Sequence, residues 1–238
     1  MIQCDIKSLY DHLRLAQNCC AQSEKFYIGD LVDGWDIQGI ETNFDIKPND
    51  FLNFARQDLK ANYEHHLINS LTNVKRAIDC QIDSIFIALG LNTKKSESEY
   101  WNFPEKIALL NKLGIISPEI LQNINQQRNN LEHKYAKPKE NEIKIAIDTA
   151  QLFIKYTDKY LNAMPFSGLL REPNIKNSFL DVDLDYKNRI LRFEGREYDD
   201  DFKTLKNHYV KEISEVNREE YVKYLKWFLL ITNMEFQW

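Results

Sequence analysis

From Asn49 to Leu89 the chain carries neither proline nor glycine. Within that stretch Leu67, Leu71, Val74, Ile78, Ile82, Ile85 and Leu89 recur every three or four residues. That period puts them on one side of an α-helix, and so continuous a stripe has to be buried against other helices. Gly90 follows at once and suits the left-handed residue that closes a helix. Pro48, with Asn49 or Asp50 as N-cap, marks the start. The stretch reads as one long helix or as two, broken near NSLTN.

Further helical segments follow. FPEKIALLNKLG has Pro104 in its first turn and Gly114 at its end. ISPEILQNINQQRNNLEHKY opens with Ser117 as N-cap and Pro118 at the first helical position, and its apolar side is Ile120, Leu121, Ile124 and Leu131. Pro138 ends that helix. KENEIKIAIDTAQLFIKYTDKYL places Ile143, Ile147, Ala150, Ile154 and Leu161 on one side. Upstream, Ile6, Leu9, Leu13, Ala16 and Cys20 repeat with helical spacing, and 25–48 has no helical period and reads as an extended connector with room for short strands. Downstream, Pro165, Gly168 and Pro173 mark a linker. SFLDVDLDYKNRILRFEG reads as a β-hairpin turning near Lys187-Asn188, the acidic run 199–201 as a helix start, and REEYVKYLKWFLLITN as a helix.

The expected class is therefore mainly α. An antiparallel helical bundle covers 50–162. An N-terminal helix and extended connector cover 1–49, and a small α+β tail of hairpin plus helix covers 163–238.

Composition removes some functions. The chain has 238 residues, 43% of them hydrophobic, and a net charge of −5. It is not a polycation that coats nucleic acid by bulk attraction. Net charge by segment is −4 over 1–49, +1 over 50–162 and −2 over 163–238, so a polyanion would be sought in the middle segment. Cys19 and Cys20 are adjacent and no CxxC occurs among the four cysteines, which points to a reduced, cytoplasmic chain. The first residues do not resemble a signal peptide. The longest apolar run, WFLLI, is too short to span a bilayer, so no membrane partner is expected.

The densest chemistry lies in QQRNNLEHKYAKP, residues 126–138. Asn129 and His133 are four residues apart and share a helix face. Arg128 and His133 are five apart, so their Cα positions differ by about 140° around the helix. These groups suit RNA cleavage without metal. Arg presents a permanently charged donor fork to phosphate oxygens. His changes protonation near neutral pH and moves protons. Asn orients the phosphate or the imidazole. One imidazole does not readily serve as both base and acid, so a second copy of the helix would help.

In this helical setting, residues 58–162 resemble the HEPN superfamily of prokaryotic toxin–antitoxin and phage-defence proteins. LINSLTNVKRAIDCQIDSIFIALGL, FPEKIALLNKLGI and the stretch from Ile124 to Tyr156 carry the resemblance. Arg128, Asn129, His133 and Tyr135 match the Rx4HxY form of the family motif. The resemblance implies a HEPN-like bundle, a metal-independent endoribonuclease and a homodimer in which two motif helices face each other. It implies Arg128, Asn129 and His133 as catalytic residues. Tyr135 matches the position adenylylated in members paired with a nucleotidyltransferase antitoxin, so such a partner is implied too. Other members serve only as interaction modules, which is the alternative reading.

Lys75, Arg76 and Lys134 are the expected contacts to RNA; for Lys75 and Arg76 an ordinary solvated stripe is an equal alternative. No metal or cofactor is expected. His65 and His66 are adjacent and lack the i,i+4 spacing of a helical zinc site. Asp181, Asp183 and Asp185 alternate on one strand face and read as a solvated surface rather than a cation site.

Overall fold

The computed structural model describes residues 32–96, 98–116, 118–171 and 177–235. The expected helix at 4–22, the cap at Ser117 and the linker residue Pro173 lie outside them. The chain divides into two units, one of Met1–Gln38 with Pro165–Trp238 and one of Gly39–Met164.

The second unit is helical: α1 (Pro48–Lys60), α2 (His66–Ala88), α3 (Phe103–Lys112), α4 (Pro118–Lys134), α5 (Glu140–Thr157) and the short α6 (Lys159–Asn162). The break between α1 and α2 falls at 61–65 rather than near NSLTN, because Ala61 is extended, with ψ 160°. The N-cap of α1 is Lys47, not Asn49 or Asp50. Pro48 takes the first helical position, where its missing N–H costs nothing. Asp50 then reaches back to accept the Lys47 N–H at 2.9 Å. α2 closes on Gly90, at φ 65°. The Gly90 N–H donates to Ile87 O at 3.0 Å and the Leu91 N–H to Phe86 O at 2.7 Å. Gly114, at φ 76°, closes α3 in the same way.

The α2 stripe is buried from Leu71 through Leu89. Leu52 and Ala55 of α1, Ile107 and Leu110 of α3, Leu121 and Ile124 of α4, and Ile143, Ala150 and Ile154 of α5 are buried in the same unit. Two buried polar groups inside it have partners. Gln81 Nε2 donates to Thr157 Oγ1 at 2.9 Å, and Ser70 Oγ to Ala55 O at 2.7 Å.

The first unit contains a sheet that the sequence pattern understated. Its strands β1 (Val32–Gln38), β2 (Met164–Arg171), β3 (Ser178–Asp185), β4 (Ile190–Tyr198) and β5 (Leu205–Ser214) lie side by side in that order. The β2–β3, β3–β4 and β4–β5 pairs are antiparallel. Helix α7 (Arg218–Glu235) follows. The expectation of a mainly α chain is corrected: the architecture is α+β, with a five-stranded sheet as well as the helices. Two segments account for the error: the stretch expected as a linker is β2, and the acidic run 199–201 precedes β5 instead of opening a helix, while β1 falls in the connector, which the pattern left open to short strands. The β3–β4 hairpin and α7 match the expected elements, and Asn188 turns the hairpin by bonding Asp185 Oδ1 at 2.9 Å.

Gly168 and Pro165 made β2 resemble a linker, yet Gly168 is required by the sheet. The Trp35 ring lies on its backbone, and a Cβ there would enter the indole. The same relation joins Gly195 on β4 to Tyr209 on β5. Trp35 meets Phe228 of α7 edge-on at 5.5 Å between ring centroids. We expect Gly195→Ala to lower stability by about 1–3 kcal/mol through overpacking against Tyr209, measured by urea denaturation. Gly195→Ala combined with Tyr209→Ser should lose the steric part of that cost.

Candidate functional site

Helix α4 is anchored by Leu121 and Ile124, both buried, while its last turn turns outward. His133 and Lys134 are exposed there and Asn129 is half-buried one turn earlier. The two cationic-type side chains sit at the helix C-terminus, where the backbone dipole favours positive charge. Among the described residues neither His133 nor Lys134 has a hydrogen-bonding or ionic partner. The side chain of Arg128 lies outside the described part, so the geometry holds three of the four motif positions.

Tyr135 ends the helix. Its φ is 53°, in the left-handed region, and its side chain is 89% exposed. The Ala136 N–H then donates to Asn130 O at 3.2 Å, capping the last turn. The helix thus stops three residues before Pro138, at a tyrosine doing the work usually given to glycine. Pro138 is buried, and Lys139 opens α5 with its N–H donated to Glu142 Oε2 at 3.1 Å. We expect Tyr135→Gly to stabilise the chain by roughly 1 kcal/mol by relieving the left-handed conformation, read as a higher midpoint in thermal unfolding. An unchanged or lower midpoint would show that the tyrosine ring contributes more than the backbone loses.

Of the expected RNA contacts on α2, Arg76 is exposed and Lys75 is engaged. Lys75 Nζ is 2.7 Å from Asp79 Oδ2 and 5.1 Å from the Phe103 ring centroid. Asp79 in turn is 3.2 Å from Lys106 Nζ. That ammonium also sits 2.7 Å from Asp83 Oδ1 and 2.8 Å from Oδ2. Lys106 is buried in this cluster, which ties α2 to α3. Burial pushes the Asp83 carboxyl above its usual range, and the Lys106 hydrogen bond pulls the other way. Burial also raises the neighbouring Cys80 thiol to about 11, so it stays protonated and unreactive. The sequence reading missed this cluster. Its signal was Lys75, Asp79 and Asp83 at four-residue steps on an otherwise apolar helix.

The strand aspartates do not converge on a common point. Asp181 bonds Arg196, Asp183 accepts from Ser167 Oγ at 2.6 Å, and Asp185 holds the hairpin turn. Among the described residues no three His, Cys, Asp or Glu side chains gather as a metal site. No helix among them is long and apolar enough to cross a membrane. No family model matches the chain, and neither does any curated protein or solved structure.

Proposed function

We propose that the chain is a metal-independent endoribonuclease of the HEPN type, acting in the cytoplasm as a toxin or defence effector. The observation that carries this reading is the open end of α4. There His133 stands exposed and uncommitted, with Asn129 one turn behind it and Lys134 beside it. The match of Arg128, Asn129, His133 and Tyr135 to the Rx4HxY pattern supplies the chemical assignment.

In this mechanism the RNA phosphate lies against Arg128, which offsets the charge that builds on its oxygens. His133 removes the proton of the 2′-hydroxyl. The 2′-oxygen attacks phosphorus, the bond to the 5′-oxygen breaks, and a 2′,3′-cyclic phosphate forms. The 5′-oxygen takes a proton from the imidazolium of His133 in a second copy, presented opposite the first. Lys134 and Arg76 hold the flanking backbone.

The test is direct. Purified protein, incubated with single-stranded RNA in EDTA, should release fragments ending in 2′,3′-cyclic phosphate. Absence of cleavage across varied RNA sequences, together with no growth arrest on expression, would favour the interaction-module reading. The exposed apolar face of α5 is the observation that supports that second reading.

A further inference from the structure

The buried side of α5 is Ile143, Ala146, Ile147, Ala150, Phe153, Ile154 and Thr157. A surface helix needs no second apolar side, yet α5 has one. Ile145 is 57% exposed, Leu152 69% and Tyr156 55%. With Thr149 they fall within an arc of about 60°. Their steps of four, three and four residues are those of a seam between two packed helices. Alongside, Leu152, Phe153 and Tyr156 meet Gly114, Ile115 and Ile116 at a groove of about 640 Å³.

We infer that this face of α5 is a contact between two copies of the chain, with the two α5 helices antiparallel about a two-fold axis. Charge selects both the partner and the direction. Asp148 and Lys155 are exposed on the same flank of the stripe and have no ion-pair partner among the described residues. In an antiparallel pair, equal flanks face each other. Asp148 then meets Lys155 of the second copy, and Lys155 meets its Asp148. The same register opposes Ile145 to Tyr156 of the second copy and Thr149 to its Leu152. The stripe is thus self-complementary in shape and charge. A parallel pair would set Asp148 against the flank of Ala146 and Phe153, where the charged residue of α5 is the acidic Glu142 and no cation is offered.

The axis passes near the middle of α5, roughly 20 Å along the helix from the end of α4. The register brings no residue of 128–135 into the seam. This contact is therefore separate from any meeting of two motifs, and it does not rest on the ribonuclease reading.

Sedimentation of the full chain tests it. One helix face makes a small interface, so the protein is examined at ~100 μM. Wild type should be self-associated. Asp148→Lys and Lys155→Asp should each halve the mass, since each sets like charges together twice. The exchanged variant Asp148→Lys/Lys155→Asp should regain the wild-type mass. Leu152→Glu should halve it with an unchanged circular dichroism spectrum. A monomeric wild type overturns the proposal, even if α5 proves shielded by another segment of the chain. Failure of the exchanged variant to reassociate overturns it as well. RNA cleavage by these variants, which keep His133 and the separate meeting of two motifs, leaves this result intact.

Discussion

His133→Ala should reduce RNA cleavage by about 10²–10⁴-fold, the usual worth of a positioned acid or base. Exposure of the residue makes the test clean. A substitution at an open helix end with no partner shifts stability by roughly 0.5 kcal/mol or less, so lost activity cannot be charged to unfolding. Arg128→Ala should lose a comparable factor, and Arg128→Lys should restore only part of it, because a lysine lacks the planar fork. Tyr135→Phe should cleave as wild type, since the mechanism takes no proton from that ring. Cyclic phosphate formed in EDTA requires internal attack by the 2′-oxygen, and loss of cleavage in the variants, prepared alike, separates the chain's own activity from a contaminating ribonuclease that leaves the same ends. If cleavage persists at the wild-type rate in both His133→Ala and Arg128→Ala, the motif is not the active site.

Lys106→Met should destabilise the protein by about 3 kcal/mol, the lower part of the range for removing one member of a buried ion pair. The methionine fills most of the space, so the loss is mainly electrostatic. Without the ammonium, Asp79 keeps Lys75 at 2.7 Å but Asp83 loses its hydrogen-bonded cation, and each carboxylate has only about a quarter of its side-chain exposure. The deficit should depend on pH. Burial already holds the Asp83 carboxyl above its usual range, and loss of its stabilising lysine raises it further. The folded form then keeps a proton that the unfolded chain gives up. Stability of the variant is therefore better preserved at or below the ordinary carboxylate range, and it falls as pH rises through the raised value. Urea denaturation at about pH 4.5 and about pH 7 should show the smaller deficit at the lower pH. Adding Asp83→Leu to Lys106→Met should recover stability at pH 7. A deficit independent of pH, unrelieved by the second substitution, would assign the effect to packing.

Both predictions concern helices that the sequence pattern already marks. The α2 stripe and the glycine stops at Gly90 and Gly114 act between residues within a few positions of each other. Their physics is local, so the order of residues carries it. The α4 stop was only half legible. Pro138 announced an end, but the left-handed Tyr135 that makes it earlier has no sequence signature. The sheet was legible only where a short turn closes it, at Asp185–Asn188. β1 and β2 are separated in the chain by the whole helical unit, and no local period reports such a pairing. Gly168 looked like a loop residue because the ring that needs its bare backbone, Trp35, is remote in sequence.

For the candidate site the division is similar. The types of group at 128–135 and their spacing followed from sequence alone, because four- and five-residue steps on a helix have fixed geometry. Tertiary structure decided which of those groups are presented. It left His133, Lys134 and Tyr135 open and drew Lys75, equally basic in sequence, into the cluster with Asp79 and Phe103. It also decided that α5 has a second apolar face, since burial of one side exposes the other. Sequence determined the helices and their chemical groups through short-range backbone and charge geometry. The five-stranded sheet, the buried Lys106 and the free face of α5 depend on which distant segments meet, and only the folded chain specifies that.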